Sequence, residues 1–273
     1  MQTGYYNAAA GMVAQFNRLD TISNNLANVN TAGYKEDDTV IGDFMRLYKE
    51  ARDTLPHPNH SVQGAQFLNR AMTKAPQVVE SFTNHSVGNM QNTSNPLDFA
   101  LSREGLYFAV KTPNGVRYTR DGSFTISDDG KLITKQGYEV LPEDYESSGN
   151  SISFNTADSV VTVDKNGQIM KNLPNTVQFG ASSKIFVAQP DNENFLVKEG
   201  DNLFKYVGPE IVKNLESSGA VRQGFLEKSN VNAVKMMTQM IETNRLVGMY
   251  QKVMNSQMDD MNNDAINKLA RKA

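Results

Sequence analysis

The 273-residue chain contains no cysteine. Disulfides, Cys-based zinc sites and thiol nucleophiles are thereby excluded. Such a composition suits the cytosol, and equally a protein that crosses a membrane unfolded and stays outside. No window approaches ~18 uninterrupted apolar residues, so no membrane span is expected. The opening MQTGYYNAAAGMVAQ lacks a basic segment followed by an apolar core, and no cleavable signal peptide is expected. Basic residues are not in excess. There are 27 Lys and Arg against 30 Asp and Glu, a net charge of -3, and the cations are scattered. Nothing in this balance suggests a nucleic-acid binder, which would usually show a basic face.

Catalytic signatures are missing too. No Gly-rich phosphate loop, G-x-S-x-G elbow or H-E-x-x-H is found. The three histidines are His57, His60 and His85. Pro58 lies between the first two, so they cannot be a helical ligand pair, and exposed loop positions are expected instead of a metal site. Asp128 and Asp129 precede Gly130 as in a turn, and the EF-hand pattern is absent. Asp98 in SNPLDFAL reads as a turn residue bonding backbone amides. No paired carboxylates stand out. We therefore expect no enzyme, no cofactor and no metal.

The chain does have two helical ends. Tyr5, Ala9, Met12, Val13, Phe16, Leu19, Ile22, Leu26 and Val29 recur at helical spacing, with polar residues mostly between them. At the other end Val247, Tyr250, Met254, Met258, Met261, Ala265 and Leu269 are spaced 3, 4, 4, 3, 4, 4, and Met236 and Met240 extend the stripe upstream. From Ala233 to Ala270 there is no proline and a single glycine, Gly248. One helix is expected from about Asn230 to Leu269, with Ser229 or Asn230 as N-cap. That is far longer than the globular mean of ~11–12 residues, and such lengths point to coiled coils or bundles. The N-terminal helix is the evident partner. Much of the C-terminal stripe is then left over for other molecules. Seven of the 13 methionines lie between Met236 and Met261. Their flexibility suits either a soft core stripe or a surface that meets non-identical neighbours.

The middle is rich in turn signals: Asn-Gly in TPNGV and DKNGQI, Asp-Gly in TRDGSF and SDDGKL. Short β-rich runs lie between them, from Leu106–Val110 to Lys184–Ala188. An antiparallel β domain follows. The expected fold is α+β: a helix over 1–30, an extended connector over 31–76 with a short helix near Asp43–Glu50, an antiparallel all-β domain over 77–225, and a helix within 226–273. The two terminal helices pair as a coiled-coil-like layer.

NNLANVNTAGYK, following the first helix, resembles the signature of the bacterial flagellar axial proteins, the rod and hook family. NPLDFAL, GLYF, YTRDGSF and DGKLIT in the middle, and SNVNAVKMMTQMIETNR near the end, are similar to the family's other motifs, in the same order. The lean size resembles the rod members, and LEKSNVNAV followed by MYQKVM leans toward a proximal-rod member, with the distal rod protein close. Two stretches depart from the pattern. Arg103 stands where the family commonly has the first glycine of Gly-x-Gly-Phe-Phe, and 31–76 has no clear counterpart.

The resemblance implies a structural subunit that passes without cleavage through the flagellar type III export apparatus. It would then assemble helically with copies of itself and other rod proteins into a periplasmic drive shaft around the export channel. The surrounding basal-body rings would be a further candidate contact, one the sequence does not show. The residues expected at assembly contacts are Met12, Phe16, Leu19, Asn24, Asn25, Leu26, Asn28, Gly33 and Tyr34 at one end. At the other they are Ser229, Asn230, Asn232, Met240, Val247, Tyr250, Met254, Met258 and Met261. The amides of Asn24, Asn25 or Asn28 are expected to bond near Ser229–Asn232 or to a neighbouring subunit. A binding module for glycans or cell wall, carried on a helical stalk, is the alternative of another class. A cell-wall hydrolase would need carboxylates that are not found.

Overall fold

A computed structural model describes residues 2–43, 76–145, 151–154, 161–172, 179–209, 211–213 and 219–270. The short helix expected near Asp43–Glu50, and His57 and His60, lie outside the described residues. Two compact units form. One comprises Met1–Ala27, Asp37–Thr83 and Asn232–Ala273; the other comprises Asn28–Glu36 and Asn84–Val231.

In the first unit α1 (Gln2–Ala27) runs antiparallel to α2 (Ala233–Ala270). The sense follows from the contacts. Gly4 lies over Gln257, Gly11 over the Tyr250 ring, and the Asn25 amide reaches the Met236 sulfur. α2 starts at Ala233, later than expected, because Asn232 caps it. Asn232 Oδ1 accepts from Lys235 N at 3.1 Å, and Met236 N donates to Asn232 O as the first helical bond. Neither Ser229 nor Asn230 is the cap. β1 (Asp37–Asp43) pairs antiparallel with β2 (Pro76–Thr83), with a bulge between Val40 and Ile41. β1 falls in the span read as an extended connector.

The second unit is built on antiparallel pairs. β3 (Met90–Asn92) pairs with β18 (Phe225–Glu227), and β4 (Phe99–Leu101) with β17 (Val221–Gln223). β10 (Val161–Val163), β11 (Gln168–Asn172) and β12 (Phe179–Lys184) form a three-stranded sheet. The large sheet runs β14 (Leu196–Gly200), β15 (Leu203–Tyr206), β6 (Gly115–Thr119), β5 (Tyr107–Thr112), β9 (Glu139–Val140), β8 (Leu132–Thr134), β7 (Phe124–Ile126). β13 (Val187–Pro190) joins it through β5 and carries β16 (Ile211–Lys213). One face of β5 sends Phe108 and Val110 into the main core with Phe99, Phe124, Leu132 and Ile185; the other sends Tyr107 and Ala109 into two smaller clusters. This is the alternation expected of a strand covered on both faces.

The turn signals divide. SDDGKL and DKNGQI join β7 to β8 and β10 to β11, each with its glycine at positive φ (Gly130, +76°; Gly167, +79°). In TPNGV the register pairs Thr112 with Gly115, so the turn residues are Pro113 and Asn114. Proline presets φ for the first turn position, which shifts the turn back by one. TRDGSF is no hairpin. β6 and β7 are not neighbours, and Asp121–Gly122 carries the chain between them.

Candidate functional site

Segments 31–36, 86–88, 120–123 and 227–230 meet inside the second unit. Gly33 makes the closest approach. At φ +68° its N donates to Glu227 O at 2.8 Å, and a Cβ there would lie 2.4 Å from the Arg120 carbonyl carbon. No side chain fits, and the left-handed φ favours glycine anyway. Gly122 is as constrained, for a Cβ would meet Phe99 O at 1.8 Å. Asp121 Oδ1 accepts from Ser123 N and Oγ, at 3.0 and 2.6 Å, and shapes that crossing. Asp98, expected to bond backbone amides, takes the side-chain Asn95 Nδ2 instead, at 3.0 Å, and it is Asn95 Oδ1 that receives a backbone amide, Leu97 N.

Three charges lie at the centre. Lys35, Glu227 and Arg120 have side chains 0%, 0% and 1% exposed. Lys35 Nζ donates to Glu227 Oε1 and to Ser86 O, each at 2.6 Å. Gly88 N donates to the same carboxylate oxygen at 2.9 Å. Arg120 Nε stands 2.9 Å from Glu227 Oε2, an ion contact too bent to be a hydrogen bond. Its Nη1 donates to Leu106 O at 2.7 Å and Arg103 O at 2.9 Å. Burial and the Arg120 charge hold the Lys35 ammonium below its usual range, while Glu227 acts in the opposite sense. Charges survive at such depth only when paired and hydrogen-bonded, and here two cations share one carboxylate.

The surroundings tighten the junction. Lys198 Nζ sits 4.2 Å above the buried Tyr34 ring and donates to Lys35 O at 2.6 Å. Asn202 Nδ2 donates to Ala32 O at 2.7 Å. Glu36 N donates to Asn230 Oδ1 at 2.7 Å, and Asn230 Nδ2 donates to Asn84 O at 2.8 Å. The side of Arg120 faces Tyr107, whose hydroxyl is 2.7 Å from His85 Nδ1. Burial, then the Glu193 carboxylate, push that hydroxyl above its usual range. His85 is no exposed loop histidine: it is half-buried against the Tyr107 and Phe204 rings.

The first unit holds the remaining expected residues. Asn25 is buried, and its amide spans Asp37 like a peptide group: Nδ2 donates to Asp37 O at 2.6 Å and Oδ1 accepts from Asp37 N at 3.0 Å. Those bonds fix the start of β1. Asn28, in the second unit, accepts from Thr31 Oγ1 at 3.1 Å. Asn24 and the cap Asn232 are exposed. The face that α1 buries is also not the expected one. Ala8, Gly11, Ala14, Gln15 and Ile22 are buried, while Val13 and Phe16 are 56% and 42% exposed. Small side chains let helices approach closely: a Cβ on Gly11 would lie 2.6 Å from the Tyr250 ring. Met12, Leu19 and Leu26 are half-buried at the flank.

On α2, Met236, Thr243 and Val247 are buried; Met240, Tyr250, Met254 and Met261 are half-buried; Met258 is exposed. Val234, Met237 and Ile241 are 74%, 51% and 56% exposed, on the side opposite Met236, Thr243 and Val247. Gly33, Tyr34 and Ser229 are buried and Asn230 half-buried. Sequence reading passed over Lys35, Arg120 and Glu227. Each stands inside or beside a quoted motif (GYK, YTRDG, LEKSN), and that was the signal available. Among the described residues no cluster of three or more His, Cys, Asp or Glu could hold a metal, and no helix is long and apolar enough to cross a membrane.

Comparison with known proteins matches three families. Residues 6–35 match "Flagella basal body rod protein", 104–171 "Flagellar hook protein FlgE/F/G D1 domain", and 222–268 "Flagellar basal body rod FlgEFG protein C-terminal". The chain is 32% identical to the flagellar basal-body rod protein FlgG of Agrobacterium fabrum over 90% of its own length and 92% of that protein's. It is 31% identical to FlgF of Rhizobium meliloti over 90% and 89%, and 32% identical to FlgG of Buchnera aphidicola from Acyrthosiphon pisum over 86% and 88%.

Proposed function

We propose, from the premise that this chain belongs to the flagellar basal-body rod protein family, that it is a structural subunit of the rod. In this reading it assembles helically with copies of itself and other rod proteins in the basal body. The observation that carries the assembly reading is the apolar surface left on both helices: Val13 and Phe16 on α1; Val234, Met237, Ile241 and Met258 on α2. A monomer gains nothing by exposing so many large apolar side chains on two elements, and such surfaces mark interaction sites. Stacking the helix pair through non-closing contacts yields a filament.

The finer assignments belong to the same proposal. The helix pair forms a coiled-coil-like inner layer around a channel, and the β unit forms the outer layer. The chain travels through the type III export apparatus and orders its ends on assembly, where interface burial offsets the ordering cost. LEKSNVNAV favours the proximal rod within the family. The subunit is structural and carries no catalytic role.

The test is Met258→Asp, produced in cells lacking the natural protein. Its exposed position predicts a soluble, folded chain that no longer enters purified basal bodies, with motility lost. Normal basal-body content in that variant would remove the α2 surface from the assembly.

A further inference from the structure

Two features of the second unit lie outside the junction described above. One is a cavity of about 340 Å³ at the end of the β5–β6 hairpin, lined by Val116, Leu141, Tyr145 and Pro113, with Lys111 and Glu139 among its polar walls. Glu139 is already engaged by Lys131 at 2.6 Å. Lys111 is exposed, stands across from Glu139 in the β5–β9 register, and makes no ion pair within 4 Å among the described residues, Glu139 being taken by Lys131. Small-molecule pockets reach ~300–1,000 Å³ and carry several convergent polar groups. This one is at the low end of that range and offers one uncommitted polar side chain. It suits a single apolar side chain better than a metabolite.

The second feature is an exposed apolar patch. Phe195, Val197 and Val207 are 40%, 50% and 56% exposed. Val207 N donates to Phe195 O at 3.0 Å, and the Phe195 ring meets Tyr206 edge-on at 6.2 Å. Asp191 belongs to the same neighbourhood, since its charge, after burial, raises the Tyr206 hydroxyl. Asp191 is exposed and lacks an ion-pair partner among the described residues. The neighbouring edge strand does not invite strand addition. β14 carries Lys198 and Glu199 and a register shift before Gly200, features that blunt edges. The contact surface is therefore the side chains and not the backbone.

A heterologous interface needs two different, complementary patches on one chain. This chain offers an exposed aromatic side chain beside a carboxylate and an apolar hole beside an ammonium, neither charge ion-paired among the described residues. Aromatic residues seated in pockets dominate interface energetics, and facing charges set register and rate. We propose that the Phe195 side chain of one copy seats in the Lys111–Val116–Leu141–Tyr145 cavity of a second copy, with Asp191 facing Lys111. The occupant rests on the rod reading, because helical assembly is what makes a second copy the neighbour.

The absence of cysteine makes the test clean. The full chain carrying Lys111→Cys and Asp191→Cys is produced in place of the natural protein, and basal bodies are purified under mild oxidation. The expected result is a reducible ladder of dimers and larger multiples that neither single-cysteine variant gives. Both positions are exposed, so the folded state is preserved. In parallel, Lys111→Asp and Asp191→Lys should each reduce motility, and the two together should restore it. The docking is overturned if the chain is present in basal bodies but stays uncrosslinked. It is overturned equally by dimers that never extend, or by crosslinks only to a protein of another size. If the chain is missing from basal bodies, the rod reading falls and this proposal with it.

Discussion

The two units put their large side chains to opposite uses. The β unit encloses them. Phe99, Phe108, Phe124 and Phe204 are at most 2% exposed, and even its central charges are sealed from water. The helical unit leaves many of them outside. Its inner contact sets Gly11 against the Tyr250 ring and buries Ala8, Ala14 and Val247, while Tyr6, Val13, Val234 and Ile241 face solvent. Burial of apolar area is what stabilises a fold. The β unit therefore closes its own core, with Phe195, Val197 and Val207 as its exposed exceptions, and in the proposed rod the helical unit would acquire much of its burial from other molecules.

Hydrogen exchange should show the largest contrast. In dilute monomer, amides of 2–27 and 233–270 should exchange orders of magnitude faster than those of β5, β6 and β15, because local opening is easiest where few apolar contacts are buried. Equal protection in both units at low concentration would break the comparison.

Next in size is Glu227→Ala. It strands Lys35 and Arg120 together without a counter-charge, and breaking a buried pair costs about 3–5 kcal/mol. The urea midpoint of the β unit should fall accordingly. Glu242→Gln, on the exposed face of α2, should shift stability by less than about 0.5 kcal/mol. A small effect at Glu227 would mean that the junction is not what closes the β unit.

Gly33→Ala should cost more than the about 1–3 kcal/mol of one strained residue, because a Cβ there would lie 2.4 Å from the Arg120–Asp121 peptide, which must also move. Urea unfolding measures it. Gly248→Ala provides the contrast: nothing lies within 4 Å of a Cβ at Gly248, and it sits inside a helix. There alanine should stabilise by about 0.5–1 kcal/mol.

The smallest effect is in pH dependence. Burial, with the neighbouring Tyr145 and Tyr206, raises the Tyr118 hydroxyl to about 12. A pKa raised by folding gives stability that is complete below the unfolded value, ~10 for tyrosine, and lost as pH rises toward 12. Lys35 is shifted the other way. Below ~10.4 the unfolded chain binds more protons at that site, so its contribution rises with pH. Taken by themselves, these two groups keep stability level or rising up to about pH 10 and make it fall beyond. Tyr118→Phe should remove its share of the alkaline loss, the raised Tyr107 and Tyr206 hydroxyls keeping theirs, and tyrosinate absorbance tracks the transition.

Much of the fold is legible because its signals are local. A helix without proline, a capping asparagine and an Asp-Gly turn each act over a few residues. That is why the α+β order and the SDDGKL and DKNGQI hairpins could be read directly. TRDGSF misled for the same reason: its turn chemistry is real, but strand partners chosen elsewhere made it a crossing. The asparagine run told of a helix end. It did not tell that Asn25 would hold Asp37 as a peptide group holds its strand partner.

By itself the sequence determined that two long helices bracket an antiparallel β region, that no thiol chemistry is available, and that the chain resembles the flagellar axial proteins. The tertiary structure alone decided which face of each helix is inward. Periodicity defines a stripe by size and polarity, whereas close packing selected the smaller side chains of α1. It alone also brought Lys35, Arg120 and Glu227, which lie far apart in the chain, onto one another. A charge becomes a structural element only when folding removes the water around it.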